Sequence, residues 1–210
     1  MEYIIETFEL TKQFNHTLAI ENVNLKVKQG ELFCLVGPNG AGKTTLLKVL
    51  STLILPTLGK AKVNGYDIIK NPTQVKKCIG LVSSEERSFY WRLTGRQNLE
   101  FYSSLYDLPS KDAKQRINEI LSLLKLEEQS ENKFQNYSAG VKQKINIARA
   151  LLHNPPILLI DELTKSLDPI TAENLRKFIK EKLVKELKKT VILATHNLKE
   201  AEIIADYIAV

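Results

Sequence analysis

Gly37-Pro38-Asn39-Gly40-Ala41-Gly42-Lys43-Thr44-Thr45 sits between a short apolar run, Leu32 to Val36, and a helix-forming run, Leu46 to Leu50. Gly37, four residues, then Gly42-Lys43-Thr44 is the spacing of a phosphate-binding loop between a strand and a helix. Glycine lets backbone N–H groups close around phosphate oxygens with no side chain in the way. The positive end of the following helix points at the same anion. In such a loop Lys43 bridges the terminal phosphates and the Thr44 hydroxyl ligates Mg²⁺.

The rest of the chain is compatible with a cytoplasmic protein of ordinary composition. It has 210 residues, a 43% hydrophobic fraction and a 26% charged fraction, enough for one domain with its own core. No apolar stretch approaches the ~20 residues of a membrane-spanning helix. Met1 to Glu6 lacks the basic start and the apolar length of a secretion signal. Cys34 and Cys78 fall in apolar runs and match no metal-ligand spacing, so both are expected as small buried side chains. The formal charge is +6, which could serve nucleic acid or an anionic membrane. The lysines are nevertheless dispersed, and Glu181 and Glu186 interrupt the Lys180–Lys189 stretch, so a solvated helix face with a Glu181–Lys185 pair is expected. No nucleic-acid partner is expected.

Turns and periodicity organise the chain. Residues 2–8 and 18–36 read as short strands with a turn at Lys28-Gln29-Gly30, and Lys60 to Val63 as another before Asn64-Gly65. Gly40 to Leu50 reads as the loop helix, and 78–82 as a further strand. Residues 96–125 turn helical, with a break at Leu108-Pro109-Ser110 where Ser110 is placed to cap the second helix. Val141, Ile145, Ala148 and Leu152 recur at helical spacing behind Ser138. Ile157 to Ile160 and Val191 to Ala194 are uninterrupted apolar strands, as a parallel sheet buried on both faces requires. A helix from Thr171 to about Lys188 joins them, with Leu175, Phe178, Ile179, Leu183 and Leu187 on one face. That makes a β–α–β unit with a right-handed crossover.

Asp161-Glu162 closes the strand Ile157 to Ile160. At a strand's carboxyl end, beside the phosphate loop, one carboxylate can hold Mg²⁺ and the other can orient or deprotonate a water. Upstream lies Tyr137-Ser138-Ala139-Gly140-Val141-Lys142-Gln143, downstream Ser166-Leu167-Asp168, and His196 ends the strand Val191 to Ala194. In this order the chain resembles the ATP-binding-cassette (ABC) ATPases over essentially its whole length. The resemblance implies an α/β fold: a P-loop NTPase core with a parallel sheet, an antiparallel β subdomain and a helical signature subdomain at about 85–150. All of 1–210 would be one nucleotide-binding domain. It implies ATP and Mg²⁺ as ligands, with the whole loop (Gly37, Pro38, Asn39, Gly40, Ala41, Gly42, Lys43, Thr44, Thr45) around the phosphates and Thr44 and Asp161 at the metal. Glu162 would polarise the attacking water, and His196 would touch the γ-phosphate. Phe14 would stack on adenine; composition alone leaves it equally an ordinary core phenylalanine. Ser138 and Gly140 would act at the nucleotide of a second cassette, identical or related, and Asp168 is also counted among the nucleotide-binding residues, so two chains would meet head to tail around two ATP molecules.

Four departures from the family pattern stand out. Tyr137-Ser138-Ala139-Gly140-Val141 replaces the usual Leu-Ser-Gly-Gly-Gln, and Leu163 replaces a proline. Ser84, followed by Glu85 and Glu86, stands where a glutamine is usual. The chain ends at Val210 within an expected strand, so a C-terminal portion is expected to be missing. Glu85 to Thr94 looks like the corresponding segment of ABC-2 exporter cassettes. Its aromatics, Phe89-Tyr90-Trp91, suit either docking of a membrane subunit or packing of the helical lobe. The leading expectation is an exporter ATPase at the inner face of the cell membrane, held there through an integral membrane permease. A soluble ribosome- or DNA-associated ABC protein and an ATP-binding regulatory half are the alternatives.

Overall fold

The computed structural model describes residues 3–83 and 88–210. Strands β1 (Tyr3–Phe14), β2 (Thr17–Val23) and β3 (Lys26–Lys28) precede β4 (Leu32–Val36), which runs into the glycine loop and helix α1 (Lys43–Leu50). Next come β5 (Leu58–Val63), β6 (Tyr66–Asp67), α2 (Pro72–Cys78) and β7 (Ile79–Val82). A helical lobe follows, α3 (Gly95–Leu105), α4 (Ser110–Leu124) and α5 (Ala139–Leu151). The chain then alternates β8 (Ile157–Asp161), α6 (Pro169–Lys177), a π-helical continuation (Phe178–Glu186), β9 (Thr190–Thr195), α7 (Leu198–Ile204) and β10 (Tyr207–Ala209).

Two sheets result. One is parallel, in the order β10-β4-β9-β8-β7. The other is antiparallel, in the order β2-β1-β5-β6, with β3 also paired to β1. The uninterrupted apolar strands explain how the sheets and helices meet. Leu32, Cys34, Val36, Leu158, Ile160, Val191 and Leu193 enter a core shared with the helical lobe. Their neighbours Phe33, Leu35, Ile157, Leu159, Ile192 and Ala194 enter a second core, shared with α1 and the antiparallel sheet. Successive side chains of a strand point to opposite faces, so a strand covered on both sides is apolar through its middle, and its buried polar residues, Asp161 in β8 and Thr190 and Thr195 in β9, fall at the ends. Each Leu, Ile, Val or Phe of these strands contributes roughly 1.5–3 kcal/mol by leaving water.

Local sequence sets the helix starts. Thr94 and Gln97 form a reciprocal capping box at α3, Ser138 caps α5, and Asp168 with Pro169 opens α6. Several boundaries differ from the sequence reading. The phosphate-loop helix begins at Lys43 rather than Gly40, because Gly40 and Gly42 both have positive φ. Ser110 does not cap α4; it is the first helical residue, after Pro109, and no side chain caps that end. The 171–188 helix leaves α-geometry after Lys177, so Leu187 is exposed while Val184 is buried. There Leu187 N–H donates to the Lys182 carbonyl, five residues back, the spacing of a π-turn. The Lys185–Glu181 pair forms at 2.9 Å as expected. Both cysteines are free. Cys34 is buried in β4, and burial pushes its thiol up to about 12, whereas Cys78 is only half-buried at the end of α2.

Candidate active site

The parallel register gathers the chemistry at one sheet edge. β4 pairs with β9 (Val36 beside Thr195), and β9 with β8 (Asp161 beside Ala194). The glycine loop, Asp161-Glu162 and His196 therefore leave adjacent strands at their carboxyl ends, the usual ligand crevice of an open α/β sheet.

Residues Pro38 to Ala41 form the exposed crest of the loop, and Gly37 and Thr45 are half-buried. Gly42 has φ 84°, and a Cβ there would sit 2.1 Å from the Ala19 carbonyl oxygen. Lys43 Nζ donates to the carbonyls of Gly37 (2.6 Å) and Pro38 (2.8 Å). No side chain caps α1, so its first N–H groups remain for an anion.

Thr44 Oγ1 donates to Asp161 Oδ2 at 2.8 Å. Asp161 is buried, and its other oxygen, Oδ1, has no hydrogen-bond partner. Burial pushes the Asp161 carboxyl above the usual range, against the Thr44 hydrogen bond. A buried, half-satisfied carboxylate beside a threonine hydroxyl is a hard oxygen donor set that fits Mg²⁺.

Glu162 lies in a turn with φ 52°, and its N–H donates to the Ala194 carbonyl. His196 Nδ1 is 2.9 Å from Glu162 Oε1, and Lys165 Nζ is 3.3 Å from Oε2. Burial works to raise this carboxyl, but the His196 and Lys165 contacts outweigh it and hold it below the usual range. An ionised carboxylate only accepts, so His196 presents Nδ1–H to it.

Sequence reasoning missed the anchor of this turn, Glu200. It is buried in α7, accepts from Thr164 (2.7 Å) and Thr195 (2.6 Å), and lies 3.9 Å from Arg176. It thereby ties the turn after Glu162 to the strand end before His196. The signal available was a glutamate four residues after His196, which reads as an exposed helix position until α7 is seen packed inward. Glu200→Ala would strand two hydroxyls, and we expect it to lower stability by about 2 kcal/mol. A urea-unfolding midpoint that falls with an unchanged slope would show this.

The remaining expected residues form a second group. Ser138 Oγ accepts from the Val141 N–H at the start of α5. A Cβ at Gly140 would lie 2.6 Å from Thr171 Cγ2 in α6, and Asp168 Oδ1 accepts from the Thr171 N–H. Ser138, Gly140 and Asp168 thus stand together across the α5–α6 contact. Tyr137 is buried, accepting from Gly95 N–H and donating to the Gln129 carbonyl. Ala139 is exposed, whereas Leu163 is fully buried, which accounts for an apolar residue there. Phe14, 44% exposed at the end of β1 with Lys12 Nζ 4.9 Å from its ring centre, is no core residue. Ser84, Glu85 and Glu86 lie outside the described residues.

A family model described as "ABC transporter" matches residues 20–165. The bacitracin transport ATP-binding protein BcrA of Bacillus licheniformis is 36% identical over 210 residues, spanning all of this chain and 67% of BcrA. The ABC transporter ATP-binding protein NatA of Bacillus subtilis is 35% identical over 188 residues, 90% of this chain and 76% of NatA. Among solved structures, the cassette MJ0796, described as dimeric in a post-hydrolysis state with ADP and Pi, superposes with a TM-score of 0.83. It is 30% identical, over 97% of this chain and 93% of that one. CbiO1 from Clostridium perfringens gives a TM-score of 0.88 at 27% identity, over 98% of this chain and 83% of that one.

Proposed function

Because this chain belongs to the ABC transporter family, where it is an ATP-binding, ATP-hydrolysing subunit, we propose that it drives an exporter by the residues gathered at its sheet edge. The observation that carries this reading is the pairing of two unlike carboxylates beside the glycine loop. Asp161 is buried with one oxygen unsatisfied, while Glu162 is held ionised between His196 and Lys165.

The phosphates of ATP lie on the Gly37–Thr45 backbone and the N-terminus of α1, with the base on Phe14. Lys43 exchanges its two loop carbonyls for phosphate oxygens. Thr44 and Asp161 would hold Mg²⁺, which supplies charge neutralisation at the β- and γ-phosphates. Glu162 accepts a hydrogen from the attacking water and aligns it for in-line displacement. His196, already hydrogen-bonded to Glu162, faces the γ-phosphate. Ser138, Gly140 and Asp168 serve the nucleotide of a second cassette, so residues 1–210 act as a single domain that contributes half of each of two sites. The differential affinity of ATP for the joined pair supplies the work.

Among the described residues no helix is long and apolar enough to cross a membrane. In this reading the ATPase works with a separate membrane subunit, which would hold the chain at the inner membrane face. Relatives named for bacitracin transport support an export role. The helical lobe offers a docking surface: Phe89 is buried against Phe134, whereas Tyr90 and Trp91 are 50% and 48% exposed. In this reading Phe89 packs the lobe, and Tyr90 and Trp91 meet the membrane subunit.

Mg²⁺-dependent phosphate release by the chain with its membrane subunit tests the reading; a protein that binds ATP but never turns it over would overturn it. Replacing Tyr90 and Trp91 together by Ala should reduce transport in vesicles at least ten-fold and leave basal hydrolysis within two-fold, since a few buried aromatics carry most of an interface's energy. Unchanged export by the double variant would remove this surface from the reading.

A further inference from the structure

The turn after β8 does more than end a strand. Glu162 and Ser166 both have left-handed φ, 52° and 64°. Lys165 N–H donates to the Glu162 carbonyl, and Leu167 N–H to the Thr164 carbonyl. This double turn stacks the side chain of residue 165 over that of residue 162. Lys165 Nζ consequently lies 3.3 Å from Glu162 Oε2, on the side of the carboxylate away from the His196 contact at Oε1. Both residues line a small cavity of about 190 Å³ between this turn and the first turns of α5, which Ala139, Lys142 and Gln143 close from the other side.

We propose that Lys165 is a positioning residue that restrains Glu162: its ammonium competes with the attacking water for Oε2 and holds the carboxylate towards itself, so turnover runs faster when this ion pair is open. The inference rests on the ATPase reading above. With Oε1 engaged by His196 and Oε2 by Lys165, each oxygen keeps one further lone pair, but water must share Oε2 with a cation that pulls the carboxylate towards itself. Lys165 is 57% exposed and Glu162 only 13%, so the lysine can swing into solvent while the glutamate stays in place. The restraint is therefore releasable, and its strength is bounded. Ion pairs with one exposed partner are weak and screened by salt. Lys165 reaches none of the loop residues that would bind phosphate, so its effect falls on turnover and leaves nucleotide affinity alone.

The test compares the full chain with Lys165→Gln and Lys165→Arg at saturating Mg-ATP. Lys165→Gln should raise kcat about three-fold at low salt with KM for ATP unchanged, the size a weak exposed pair allows. Lys165→Arg should behave as the original protein. Raising salt from about 50 mM to about 500 mM should bring the original protein up towards Lys165→Gln, because screening does what the substitution does. A merely structural role for Lys165 would give no such convergence. Turnover by the original protein with no gain in Lys165→Gln, or a gain that salt does not narrow, would overturn the restraint alone. No turnover in either protein, with ATP still bound, would overturn both the restraint and the ATPase reading.

Discussion

Glu162→Gln should lower ATP turnover by about 10³-fold while leaving ATP binding within a few-fold of the original. The amide is nearly isosteric, and its oxygen can still accept from His196, which holds Oε1 at 2.9 Å. What is lost is the charge and the second strong acceptor that draws a proton from water. A positioned acid–base group is worth 10²–10⁴-fold, and 10³ corresponds to about 4 kcal/mol of barrier. Steady-state phosphate release measures the loss. Because hydrolysis would no longer separate the cassettes, ATP-loaded pairs should accumulate and elute at twice the mass in gel filtration. Retention of more than a tenth of the turnover would show that Glu162 does not handle the water.

Gly42→Ala should remove nucleotide binding and cost about 4 kcal/mol of stability. Two independent penalties meet at this residue. Its φ of 84° is a region that alanine enters only at a cost of about 1–2 kcal/mol. The added methyl would lie 2.1 Å from the Ala19 carbonyl oxygen and 2.6 Å from Ile20 Cγ2. The first of these is backbone held in β2 and cannot step aside, so the loop itself must move, at a further 1–3 kcal/mol. Gly40 provides the control. It has φ 86° but open space around its Cβ position, so Gly40→Ala should show the conformational penalty alone. Thermal unfolding and titration with a fluorescent ATP analogue separate the two; equal effects at both positions would refute the collision argument.

The residues of this site differed in how far the sequence revealed them, and locality explains the difference. Gly37 to Thr45 is a contiguous loop whose function depends on backbone freedom, so residue type and spacing alone betray it. Asp161, Glu162 and His196 were legible because each ends an apolar strand, and parallel pairing aligns strand ends. The two-sided core was legible for the same reason, as unbroken runs such as Ile157 to Ile160. Glu200 was not legible, because its partners Thr164 and Thr195 come from the turn after β8 and from the end of β9, and only the packed position of α7 brings them together. The Lys165–Glu162 pair depends on left-handed φ at Glu162 and Ser166, which neither residue type announces. Phe89, Tyr90 and Trp91 read as one aromatic cluster, but Asn98 receives the Tyr90 N–H and donates back to its carbonyl, and the chain direction set there sends only Phe89 inward. Short polar elements such as α2 and β6 have too few apolar residues to show a period.

The central sheet is a party wall between two rooms, and residue parity decides which tenant hears a change. Within β8, shaving a methyl from Leu158 or Ile160 loosens the side that carries the α-helical lobe. The same cut at Ile157 or Leu159 is felt by α1 and the antiparallel strands. Even positions of this strand therefore address the lobe that bears Ser138 and Tyr90, and odd positions address the floor beneath the glycine loop, so neighbouring residues give separate handles on coupling and on nucleotide grip.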